Sequence, residues 1–209
     1  MLSNRFIEKC EEFIEKLSGC HDSGHDISHI RRVRYNSRLI NDHEKAASDD
    51  LLDLCAIFHD VADHKFIADP SEVIDQTREF LSREGITEEL ISRIIYVAEN
   101  ISFSKGDKRG ESTPELRVVM DADRLDAMGA IGIARAFTYG GFRRRPLYGE
   151  EMEGTTIGHF SEKLLLLKDL MNTEAGKEMA LERHEYMLDY LKQFERETGI
   201  EPATLSLGS

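Results

Sequence analysis

His29, the adjacent pair His59-Asp60, and the aspartates Asp121, Asp123 and Asp126 are the residues of this chain best suited to chemistry. The His-Asp pair closes the run Leu51-Leu52-Asp53-Leu54-Cys55-Ala56-Ile57-Phe58, which is apolar enough to be buried. An ionised carboxylate beside an imidazole is costly to bury unless something compensates the charge. A divalent cation would do so, because nitrogen and oxygen donors suit metals of borderline hardness. The three aspartates sit among Val118, Val119, Leu125 and Met128, where a carboxylate again calls for a cation or an arginine. His25 precedes His29 by one helical turn, so either histidine could be a ligand.

Distant segments must converge if these groups are to share an ion, and the sequence supplies helices to carry them. Phe6, Ile7, Phe13, Ile14 and Leu17 form one apolar stripe ending before Gly19. A second helix is predicted over about 26–41 and a third over 49–63, the latter apolar nearly all round, as a central helix is. Asp69-Pro70-Ser71-Glu72 is a start signal: an N-cap carboxylate, proline at the first helical position, then an early glutamate. Further helices are expected from Thr87 to Ala98, Glu115 to Phe137, Thr156 to Leu170 and Thr173 to Thr198, with loops over 102–114 and 138–154. No alternating strand pattern, repeat or low-complexity segment is present. The fold class is all-α: one domain of about seven or eight helices over residues 1–201, with a frayed tail over 202–209. Within a helix, the side chains of His59 and Asp60 would diverge by roughly 100°. Both reach one ion only if it lies in a wedge between helices.

The chain has 209 residues, 40% of them hydrophobic, and a formal charge of −13. That charge disfavours a nucleic-acid partner, which needs a basic footprint, and makes a polyphosphate substrate awkward without a screening cation. No run approaches the roughly eighteen apolar residues of a membrane span, and no apolar leader opens the chain. Cys10, Cys20 and Cys55 form no CxxC pair and read as reduced thiols, so the expected location is cytoplasmic.

The motifs resemble those of the HD-domain superfamily of metal-dependent phosphohydrolases. Gly-His-Asp-x-x-His-x-x-Arg-Val at 24–33, Phe-His-Asp-Val-Ala-Asp-x-Lys at 58–65 and Asp-Ala-Asp-Arg-Leu-Asp-Ala-Met-Gly-Ala-Ile-Gly-Ile-Ala-Arg at 121–135 resemble one subgroup, the YpgQ/YedJ-like hydrolases. His159-Phe160 with Lys163-Leu164-Leu165-Leu166-Leu167 adds to the likeness, which covers most of residues 10–195. The resemblance implies a single HD-domain helical bundle and a divalent metal ion held by His29, His59, Asp60 and Asp123. Asp123 is preferred because the superfamily's distal ligand sits in an Ala-Asp-x-Leu context, matched by Ala122-Asp123-Arg124-Leu125. Asp121 and Asp126 are then supporting groups or partners of Arg124. Where some relatives carry His-Asp-x-x-Glu, this chain has Asp63, one methylene shorter.

Such a donor set leaves coordination positions for water and a substrate oxygen, and suits Mn, Mg, Fe, Co or Zn. Asp63, one turn after His59, is the candidate to orient that imidazole or take a proton from water. Arg32 and Lys65 are the candidates to hold phosphate charge. Arg143-Arg144-Arg145 is a basic patch able to close over a polyphosphate, with a solvated charge run as the plainer reading; His159 is a weaker cleft candidate. The leading expectation is a small-nucleotide phosphohydrolase, most simply a nucleoside or deoxynucleoside triphosphate pyrophosphohydrolase. Rival readings are a monophosphatase or cyclic phosphodiesterase at the same site, a non-catalytic metal or nucleotide module, and a di-iron oxygenase, which lacks ligands. The expected partner is the nucleotide, with no nucleic acid and no membrane. A homodimer is compatible with the sequence.

Overall fold

The computed structural model of the chain describes residues 2–18, 27–62, 70–101, 111–149 and 151–199. All regular structure among them is helical: α1 (Asn4–Ser18), α2 (Ile27–Glu44), α3 (Asp49–Phe58), α4 (Pro70–Arg83), α5 (Glu88–Asn100), α6 (Pro114–Asp126), α7 (Gly129–Phe142), α8 (Gly158–Glu162), a 3-10 helix (Leu164–Leu170) and α9 (Glu174–Thr198). None of these helices is long and apolar enough to cross a membrane. The chain divides into two compact units, Met1–Asp123 and Arg124–Ser209.

In the first unit every residue from Leu51 to Phe58 is buried, so α3 is the central rod against which α1, α2 and α5 pack. Ser48 starts it, its hydroxyl accepting from the Leu51 amide, and Thr87 and Thr113 begin α5 and α6 in the same way. Phe13 of α1 stacks on Phe80 of α4 with ring centroids 4.3 Å apart, beside fully buried Phe58. Charge also ties the helices together. On α2, Arg34 bridges Glu11 of α1 (3.1 Å) and Asp53 of α3 (3.2 Å), while Arg31 and Arg38 hold the same two carboxylates from either side. Glu11 and Asp53 are 6% and 1% exposed. Carboxylates so buried persist only because they are paired.

The second unit packs α9 against α7 and the 3-10 helix, with Phe137, Phe160, Tyr190 and Phe194 in mutual ring contact. Three boundaries differ from expectation. The helix expected over 49–63 ends at Phe58, and residues 59–62 form turns. The stretch read as one helix over 115–137 breaks at Ala127-Met128, where Gly129 takes φ +64, open to glycine without steric cost. α7 then runs on to Phe142 through Gly140, whose missing Cβ would lie 2.2 Å from the Thr156 hydroxyl. That glycine is a packing residue and not a loop marker. The helix expected over 156–170 is divided into α8 and the 3-10 helix. The Asp69 cap signal lies outside the described residues.

Candidate metal centre

Three segments of the first unit bring nitrogen and oxygen donors to one point. His29 lies in the first turn of α2, His59 caps the C-terminus of α3, and Asp123 is near the end of α6. Their ligand atoms all lie within 4.8 Å of one another. His29 Nε2 is 3.3 Å from His59 Nε2 and 3.5 Å from Asp123 Oδ1. Asp60 joins them, with Oδ2 3.2 Å from His59 Nε2 and 3.8 Å from His29 Nε2. His59 is the C-cap of α3 and keeps helical backbone angles (φ −62, ψ −30), yet both side chains reach the cluster, with His59 Nε2 and Asp60 Oδ2 3.2 Å apart. Donors sharing one ion at about 2.1 Å stand roughly 3–3.5 Å apart, so this set fits a divalent metal with little adjustment. The two imidazoles are buried and the two carboxylates partly exposed, leaving the oxygen side toward solvent.

The orientation of His59 is fixed from behind. Its Nδ1–H donates to the Ala56 carbonyl at 2.7 Å, which leaves Nε2 facing the cluster, where a bound cation would take the place of its proton. Metal-binding histidines use this arrangement to set tautomer and ring direction. Burial alone would lower the His59 pKa. The charge and hydrogen bond of Asp60 outweigh it, with help from Asp123 and the Ala56 carbonyl, and raise it to about 9. The cluster therefore calls for positive charge. Asn36, two turns beyond His29 on α2 and 3% exposed, donates through Nδ2 to the Ala122 carbonyl at 3.2 Å, next to Asp123. Sequence reasoning missed it; the signal was a polar residue seven positions after His29, on the same helical face.

Arg32 is half-buried on α2, three residues past His29. Asp63, Lys65 and His25 lie outside the described residues. Asp121 is fully buried, and Asp126 is ion-paired with Arg135 in the second unit.

The sequence pattern of the HD domain family matches residues 26–128, a span holding all four donors. The chain is 37% identical over 206 residues to YpgQ of Bacillus subtilis, covering 94% of this chain and 96% of that protein. A crystal structure of Bacillus subtilis YpgQ in complex with ADP is similar at TM-score 0.76 and 34% identity, covering 91% of this chain and 97% of the other. An HD-superfamily hydrolase from Bacillus thuringiensis is similar at TM-score 0.76 and 35% identity, covering 94% and 98%.

Proposed function

The chain belongs to the HD-domain superfamily of metal-dependent phosphohydrolases, and we propose that its substrate is a nucleoside or deoxynucleoside triphosphate, cleaved to monophosphate and pyrophosphate. The observation carrying this reading is the convergence of two imidazole nitrogens and two carboxylate oxygens within 3.2–4.0 Å of one another across the measured pairs. A divalent cation there (Mn, Mg, or a first-row metal such as Fe, Co or Zn) supplies Lewis acidity, making water nucleophilic near neutral pH and screening phosphate charge. The half-open carboxylate side gives a substrate room to approach. Screening matters in a chain of net charge −13, which would otherwise repel a polyphosphate.

The protein's own groups have separate tasks. His59, held by Ala56, keeps the donor set in register; Asn36 holds α6, and so Asp123, against α2. Arg32 balances charge on the phosphates from α2, and Lys65 does so from the segment after the His-Asp pair. Asp63 takes the proton as water attacks the α-phosphorus. The bond from that phosphorus to the bridging oxygen breaks, and pyrophosphate departs. A nucleotide fits because the similar YpgQ binds ADP. Cys10 and Cys55 are free and buried, in keeping with a cytoplasmic protein.

Incubation of the purified chain with Mn and a panel of nucleotides, followed by separate assays for phosphate and pyrophosphate, tests this. Pyrophosphate from triphosphates is expected. Release of phosphate alone from monophosphates, or ring opening of cyclic nucleotides, would assign the site to the rival hydrolyses. Release of neither, with metal bound, would leave a binding module.

A further inference from the structure

α9 buries Ala180, His184, Met187 and Leu191 at helical spacing, so a histidine stands where its neighbours on that face are apolar. His184 is 5% exposed. It donates to the carbonyl of Leu165 in the 3-10 helix, and its Nδ1 has no partner among the described residues. The donor to Leu165 is therefore Nε2–H, and the ring is the neutral tautomer with Nδ1 bare. Buried polar atoms are nearly always paired, so one left over calls for a physical account.

The element that His184 holds is itself weak. Leu164–Leu170 is a 3-10 helix of seven residues. Such runs rarely exceed about three or four residues, because their hydrogen bonds are poorly aligned. Its sequence, Leu-Leu-Leu-Leu-Lys-Asp-Leu, favours an α-helix instead. Lys163, at φ −143 and ψ −54, cuts it off from α8, and Met171 leaves it in extended backbone. Packing keeps it in place: Leu164, Leu165 and Leu167 are buried, while Leu166 is 52% exposed. α9, by contrast, runs for 25 residues between a Thr173 cap and Gly199. When the two elements part, the short one moves.

We propose that His184 is an acid-released latch: a proton taken from water onto Nδ1 frees Leu164–Leu170 from α9. The proton would create a second N–H with no acceptor and a charge on an apolar face, and both are costly to bury. The charged groups on the surrounding elements do not offset that cost. Lys168 of the 3-10 helix repels the proton, and Asp169 beside it is already held by Lys168 at 2.7 Å. Arg135, the one charged residue of α7, is paired with Asp126, and Arg183 on α9 donates to the Leu125 carbonyl. Glu185 attracts the proton but is exposed to solvent. Burial and Lys168 therefore hold the closed histidine below its ordinary pKa. Displacing the 3-10 helix lets water reach Nδ1, so the open form takes the proton and the closed form does not.

Amide hydrogen exchange of the full chain, corrected for the intrinsic effect of pH, tests this. A group protonated only in the open form makes opening about tenfold more favourable per pH unit below about 6.5. Protection at Leu166–Leu170 is expected to fall at that rate, while the amides of α7 and α9 keep theirs. His184→Gln retains an amide donor for Leu165 but cannot titrate, and its protection over the same segment should not change with pH. Nitrogen NMR of the parent imidazole, which needs no variant, should show Nε2–H alone at about pH 7.5. Protonation of Nδ1 should then proceed in step with the loss of protection. Protection that holds in the parent down to about pH 5, a fall shared equally by α7 and α9, or an equal fall in His184→Gln overturns the proposal. So does a His184 that titrates while the segment stays protected.

Discussion

Asp53 lies six residues before His59 on the central helix and is the buried charge through which the arginines of α2 hold α3. Its carboxylate is 1% exposed and accepts from Arg38 Nε at 2.9 Å and Arg34 Nη2 at 3.2 Å. Removing one member of a buried ion pair typically costs about 3–5 kcal/mol when the other is left uncompensated. In Asp53→Ala the penalty is smaller. Arg34 keeps Glu11 at 3.1 Å, and Arg38, whose side chain is 47% exposed, can turn to water. The expected loss is therefore about 2–3 kcal/mol, or a fall in melting temperature of about 4–12 °C for a chain of this length. Urea unfolding of metal-free protein measures it, with an unchanged denaturant slope showing that the unfolded state is the same. Asp53→Ala combined with Arg38→Ala should cost less than the sum of the two, since they share one contact. A loss under about 0.5 kcal/mol, the range of an ordinary surface change, would refute this account of how α2 and α3 are held together.

Protein purified without chelator should carry about one ion per chain by elemental analysis, as a single catalytic site does, and His59→Ala or Asp60→Ala should carry little. Manganese at about 100 times its dissociation constant should raise the stability of the parent by about 2.7 kcal/mol and leave either variant unmoved; an equal thermal shift in all three would place the ion elsewhere. His184 is buried, with Nδ1 unpartnered, and burial together with the Lys168 charge holds its pKa below the ordinary value. A depressed histidine contributes stability above its unfolded pKa of about 6.5 and loses it as pH falls through the folded value. His184→Gln should therefore flatten the stability profile measured by urea unfolding from pH 6.5 downward, and a slope as steep as the parent's would count against it. Arg144→Gly should stabilise the fold by up to about 1 kcal/mol by relieving the left-handed backbone, read from urea midpoints, and a loss would mean that the Arg144 side chain supports the fold.

The donors that the structure brings together stood out in the sequence because their costs were local. A histidine and an aspartate at the end of eight buried residues are hard to explain without a cation, and Asp123 stood out once its Ala-Asp-x-Leu context was compared with a known pattern. The end of α3 was less legible. His59-Asp60-Val61-Ala62 contains no glycine or proline, so nothing in the local chemistry stops the helix. What competes with another helical turn is the convergence of two side chains with groups from α2 and α6, and that interaction is distant in sequence.

The same reasoning explains the glycines. Gly140 and Gly141 read as loop residues because a glycine pair is poor in helix propensity, yet α7 passes through both. Propensity measures what the backbone prefers when nothing is packed on it. At Gly140 the Thr156 hydroxyl occupies the space a side chain would need, so the residue that weakens the isolated helix is the one the folded helix requires. Gly129 is the converse case, a glycine inside a periodic apolar stretch whose φ of +64 divides α6 from α7. Had the helix continued as periodicity suggests, the α6 peptide groups just beyond Asp123 would be held by helical hydrogen bonds alone. The break instead frees the C-terminal carbonyls of α6, and Arg135 and Arg183 donate to those of Asp126 and Leu125. A helix end whose carbonyls are held by side chains is protected from fraying.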